Sequence, residues 1–146
     1  MSRGFDPRVV VDQLVAHHHD YVWARLPLVV PMAITAARRR GDRTSHELAC
    51  LVVELRPLLL DHLDREERLV VDHETAATTA LGMHSEHVAV TAMLDHIRDV
   101  TGPTFHPRNG ADPTERALYV ELARLDHHVQ AQITLEEHVM AWRSRG

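Results

Sequence analysis

Six residues combine ligand-forming side chains with spacings that could gather them around a cation: His19, His62, Glu66, His87, Gln132 and Glu136. His62 and Glu66 are four positions apart, as are Gln132 and Glu136, so on helices each pair shares a face one turn apart. Both pairs continue apolar stripes, Leu55 and Leu59 before the first and Leu125 and Val129 before the second. Carboxylates at core positions are costly unless paired or coordinated. Imidazole and carboxylate ligation without thiolate suits iron, manganese or zinc. Two carboxylates from facing helices could bridge two metals while imidazoles cap each one. A two-iron centre with an open position can bind dioxygen, peroxide or nitric oxide.

Each of these residues has a plainer reading. His62 with Glu66 could be a surface ion pair, and His87 a satisfied core histidine. His19 competes with His17 and His18, but its spacing to Leu26-Pro27 favours it. Glu137 rivals Glu136, yet it falls off the Val129–Gln132–Met140 stripe. Gln132 could be a ligand, a hydrogen-bond donor to a ligand, or the relic of a lost site. Glu86, beside His87, is a candidate proton relay or a solvated side chain. Tyr21 supports the site or merely packs. His128, one turn from Gln132, is a candidate compensating ligand. His46, His96, His106 and His138 read as surface residues, and His73, His84 and His127 lie near element ends or flanks. Arg38-Arg39-Arg40 reads as a solvated helix end, and Cys50 as inert core.

The elements that position these groups are helical throughout. Asp6-Pro7 opens a first helix running from Arg8 to about Arg39, which Pro27 and Pro31 should kink or split, with Gly41 as its cap. Thr44-Ser45-His46-Glu47 has capping-box spacing and opens a second helix that fades near Thr75. Leu48, Val52, Leu55, Leu59, His62, Glu66 and Val70 share its inner face, and Pro57 should bend it. A third helix runs from about Leu81 to Thr101 with Met83, His87, Val90, Leu94 and Ile97 on one stripe. Residues 102–112 form a loop. Asp112-Pro113-Thr114-Glu115 starts a fourth helix reaching about Trp142, with Leu118, Leu122, Leu125, Val129, Gln132, Glu136 and Met140 inward.

Four long helices, short links and no strand alternation predict an all-α, up-down antiparallel four-helix bundle, one domain over 1–146. In that topology, at about 1.5 Å rise per residue, all six candidate ligands fall in the same half of the bundle. Thirteen histidines accompany a single cysteine, which leaves no internal disulfide and no cysteine-built zinc or iron–sulfur site. A net charge of -5 gives no electrostatic reason to bind nucleic acid or anionic membrane. The sequence shows no leader pattern and no membrane-length apolar run, so a cytoplasmic setting is the default expectation.

Taken together, these pieces resemble the hemerythrin-like (HHE cation-binding) family, nearest its bacterial di-iron proteins for repair of iron centres. The matching segments are His19-Asp20-Tyr21 with Leu26-Pro27, His62 through Glu66-Glu67, Met83 through Glu86-His87 with Leu94 and Ile97, and Leu135-Glu136. The resemblance implies His19 and His62 on one iron, His87 on the other, and Glu66 and Glu136 bridging the pair. The family's sixth ligand is a histidine where this chain has Gln132, whose neutral carbonyl oxygen is a weaker ligand. A Phe-Pro that often follows the family's carboxylate motifs is replaced by Val71-Asp72 and Met140-Ala141. The implied cofactor is iron, two ions, with one iron or another divalent metal as the alternative. The implied partner is a small ligand, O2, NO or peroxide, and any enzyme would be a di-iron oxidoreductase. Two other readings stand beside it: a metal or redox sensor without turnover, and a degenerate, metal-free bundle.

Overall fold

Several helix ends among the described residues are set by local caps. The computed structural model describes residues 7–71 and 76–143, without the side chains at 7–12, 14–15, 66–71, 76–83 and 139–143. Among the described residues there are four helices: α1 Pro7–Arg40, α2 Arg43–Val71, α3 Ala76–Thr101 and α4 Pro113–Arg143. Gly41 stops α1 with φ 68°, and its N–H bonds to the Ala37 carbonyl at 2.8 Å. Asp112 caps α4 as expected, its Oδ1 accepting from the Glu115 N–H at 2.9 Å.

Three expectations shift. The cap of α2 is Asp42 rather than Thr44: its Oδ1 accepts the Ser45 N–H at 2.9 Å and the Ser45 hydroxyl at 2.6 Å. α3 starts at Ala76, one turn before the expected Leu81, in an alanine-rich stretch of good helix propensity. α1 is not split; it runs unbroken through Pro27 and Pro31, as α2 does through Pro57. All three prolines are exposed, so water can reach the carbonyls they leave unbonded.

The helices pack in a ring, α1 on α2, α2 on α3, α3 on α4 and α4 on α1, which places α1 diagonally across from α3. The short α1–α2 link and the sequential packing make this an all-α, up-down antiparallel bundle. The core is mostly aliphatic: Val22, Leu26 and Val29 of α1 meet Val52, Leu55 and Leu59 of α2, Val90 and Ile97 of α3, and Leu118 and Leu125 of α4, with Tyr119 and Phe105 the aromatic members. No helix among the described residues is long and apolar enough to cross a membrane. Leu55 is fully buried, so Leu55→Ala should destabilise the fold by about 2–5 kcal/mol. Chemical denaturation would read this as a lower midpoint at unchanged slope.

At the bundle end where α1 stops, the basic run does more than shield a helix terminus. Arg40 Nη1 donates to Glu115 at 2.6 Å, and Arg108 from the 102–112 loop bonds both Asp42 at 2.8 Å and Glu115 at 2.8 Å. Glu115 is buried, so these two guanidinium groups balance its charge. Hydrogen bonds from Arg108 and then Ser45 hold the Asp42 carboxyl far below the usual carboxylate range. Cys50, expected in the core, is exposed. It shares the outward face with Val53, three residues on and 46% exposed.

Candidate metal centre

The other half of the bundle buries polar groups where leucine would be ordinary. His19, His62, His87, Gln132 and Glu136 are each no more than 6% exposed. One residue comes from α1, one from α2, one from α3 and two from α4. They sit at a common depth because antiparallel chain order brings the first half of α1 beside the ends of α2 and α4. His19 is buried while His17 is exposed and His18 half-buried, so the α1 histidine that faces inward is the expected one.

Glu136 is the hub. Its Oε2 lies 2.7 Å from His87 Nε2 and 3.7 Å from His62 Nε2. Its Oε1 accepts a hydrogen bond from Gln132 Nε2 at 2.9 Å and lies 3.7 Å from His19 Nε2. The ligand atoms of His62, His87 and Glu136 all fall within 4.8 Å of one another, a grouping that could hold a metal ion. The imidazoles of His62 and His87 meet edge to face with centroids 4.7 Å apart. Glu66 lies on α2 one turn beyond His62, but its side chain is outside the described residues. Gln132 faces the hub through its nitrogen, because a carboxylate can only accept.

Each of these two imidazoles is held from behind by a carboxylate on the next helix. His62 Nδ1 lies 2.6 Å from Glu86 Oε2, and His87 Nδ1 lies 2.8 Å from Glu137 Oε1. With Nδ1 donating outward, Nε2 of each ring is turned toward the shared space, an arrangement common to metal-binding histidines. Arg65 bonds the other oxygen of Glu86, and exposed His84 reaches Glu137 at 3.0 Å. Glu86 is therefore bonded to His62 and Arg65 rather than simply solvated. Stripe position alone ranks Glu137 behind Glu136, because it leaves the α4 stripe. The available signal was adjacency: an acid next to an inward residue points about 100° round the helix, toward the neighbouring helix.

Burial raises the Glu137 carboxyl, but hydrogen bonds from His87 and then His84 outweigh it and hold this group below its ordinary range. A carboxyl depressed on folding stabilises the native state above its unfolded pKa, and the contribution is lost as pH falls through the folded value. Glu137→Gln should therefore be less stable than wild type at neutral pH. The gap should close as pH falls through that lowered value, where both carry a neutral side chain. Denaturant midpoints across that range would check it.

His128, the candidate compensating ligand, does not join the His62–His87–Glu136 group. Its Nδ1 lies 2.8 Å from His18 Nδ1 instead, and its ring stacks on Tyr21 with centroids 3.8 Å apart. Tyr21 thus packs against that histidine, and its hydroxyl is buried with no hydrogen-bond partner among the described residues. His46, His96, His106 and His138 are exposed as expected, and His73 lies outside the described residues.

No family model matches the chain. It is similar to the iron–sulfur cluster repair protein DnrN of Neisseria gonorrhoeae, 26% identical over 137 residues that cover 89% of this chain and 86% of that protein.

Proposed function

We propose that this chain is a single-domain, hemerythrin-like non-haem iron protein whose buried centre binds or reacts with a small ligand, O2, NO or peroxide. The reading rests on one observation above all: two imidazoles from α2 and α3 meet a carboxylate from α4 inside the core, each imidazole oriented by its own acid. A purely structural polar network would not need two rings with Nε2 turned to a common carboxylate. Similarity to a protein named for iron–sulfur cluster repair supports iron as the metal and repair of iron centres as the setting.

The donor set fits iron, with borderline nitrogen and hard oxygen and no thiolate. His62, His87 and Glu136 Oε2 would hold one ion, and His19 with Glu136 Oε1 and Glu66 would serve a second. These positions are not equal. The Gln132 amide already occupies a lone pair of Glu136 Oε1, so the second ion binds more weakly and is the one lost first. Iron supplies an open coordination position and accessible redox states for a small ligand. The protein's own contribution is to fix both imidazoles through Glu86 and Glu137 and to surround the centre with aliphatic side chains that exclude water.

Replacing the supporting acids should weaken metal binding without removing a ligand. Glu86→Ala or Glu137→Ala is expected to cost about 10- to 100-fold in iron affinity, read by competition with a chelator. The functional reading itself is tested by adding NO, without oxygen, to iron-loaded protein. New absorption bands and an electron-spin signal that vanish in His87→Ala are expected. An iron-loaded protein indifferent to NO, O2 and peroxide alike would overturn the small-ligand reading and leave a metal sensor. A chain that takes up no iron would leave the metal-free bundle.

A further inference from the structure

Outside the buried centre, α1 and α4 carry a second gathering of imidazoles. His17 and His18 on α1 face His127 and His128 on α4. Ring centroids are 5.0 Å apart for His18 with His128, 5.7 Å for His17 with His18, 6.1 Å for His17 with His128 and 5.7 Å for His127 with His128. His18 and His128 turn Nδ1 to Nδ1 at 2.8 Å across the helix interface. We propose that His18 and His128 form a peripheral cation site for a borderline divalent transition ion such as zinc, tying α1 to α4.

Three features carry this. Two neutral imidazoles in direct contact can share only one proton between their facing nitrogens, so one lone pair is already aimed into the gap. Metal–nitrogen bonds of about 2.0–2.1 Å at angles between octahedral and tetrahedral place two ligand nitrogens roughly 2.9–3.4 Å apart. The observed 2.8 Å needs only a slight opening of the pair to admit an ion. Tyr21 then fixes His128 by stacking, at an interplanar angle of 20°, which orients the ring through its face and does not cover its nitrogen edge.

The remaining coordination positions have donors at hand. His17 and His127 are exposed beside the pair, their ring centroids 6.1 and 5.7 Å from that of His128, and are the imidazoles nearest to a third position. Water completes the shell. An all-imidazole site of this kind selects copper, nickel and zinc over magnesium and calcium, which require oxygen ligands. The site is independent of the buried centre: it shares none of its donors and needs no iron in it.

Zinc binding to the full chain, measured by equilibrium dialysis, tests the assignment. Wild type is expected to bind one zinc per chain more than His128→Ala and one more than His18→Ala. Zinc should also raise the melting temperature of wild type beyond that of either variant. If His128→Ala does not fold, as judged by circular dichroism, His128→Gln keeps much of the packing and serves the same comparison. Equal zinc stoichiometry in wild type and the folded variants would overturn the proposal. The difference between wild type and variant is read whether or not the buried centre takes metal, so failure here and failure of the iron reading are distinguishable.

Discussion

Glu136→Ala is expected to empty the centre of iron, lowering affinity by more than about 100-fold, beyond the cost typical of losing a supporting hydrogen bond. Glu136 is the residue on which the other groups converge: His87 at 2.7 Å and His62 at 3.7 Å on one oxygen, Gln132 at 2.9 Å and His19 at 3.7 Å on the other. Removing it deletes an anionic ligand and the charge that offsets a cation's transfer into the core. The fold should survive. The truncation relieves the burial of one carboxylate while leaving the donors that faced it less satisfied, and each such group costs about 1–3 kcal/mol. Iron analysis after gel filtration, with circular dichroism to show an intact bundle, separates loss of metal from loss of fold. Retention of iron by folded Glu136→Ala would show that the ion is held elsewhere.

Gln132→His should do the reverse and raise the iron content from about one to about two per chain. The glutamine amide donates to Glu136 Oε1 and can offer a metal only a neutral carbonyl oxygen. An imidazole at the same position brings a stronger ligand for iron and frees Oε1 from the amide. The substitution is buried, 3% exposed at present, and the two side chains are of similar length, so the packing penalty is modest. Iron per chain and the intensity of absorption in the near ultraviolet should rise together. Unchanged stoichiometry would mean that Gln132 does not govern the second position.

Much of this arrangement was readable from residue spacing. The 3.6-residue stripes through Leu48–Leu59 and Leu118–Val129 announced two inner helix faces, and the same period carried them directly into His62 and Glu136. A polar residue interrupting such a stripe at the same depth on four helices is a strong sign, because each alone would be destabilising. What spacing could not show lay off the stripes. Glu137 and Glu86 act across a helix interface, and their partners are fixed only once helices α2, α3 and α4 are side by side. His128 sat one turn from Gln132 and therefore looked close to the site. Its side chain instead meets α1 at His18, a choice set by how α4 is rotated against α1.

Helix boundaries shifted where contacts distant in sequence decide them. The capping-box spacing points to Thr44, whereas Asp42 caps α2 through Ser45 and is held in place by Arg108 from the distant 102–112 loop. Prolines 27 and 31 read as a kink or a split and Pro57 as a bend; the helices run through all three, each on the exposed face, where water can reach the carbonyl left unbonded. Cys50 sits within the apolar run Ala49 to Val53, but five consecutive residues cover more than a full helical turn, so some must face out.

The central claim is that His62, His87 and Glu136 together hold an iron ion. Anomalous diffraction at the iron edge from crystals of iron-loaded protein addresses it most directly. The strongest anomalous peak is expected between His62 Nε2, His87 Nε2 and Glu136 Oε2, with any second peak weaker and on the His19 side. An iron-loaded crystal with no peak among those three side chains would contradict it.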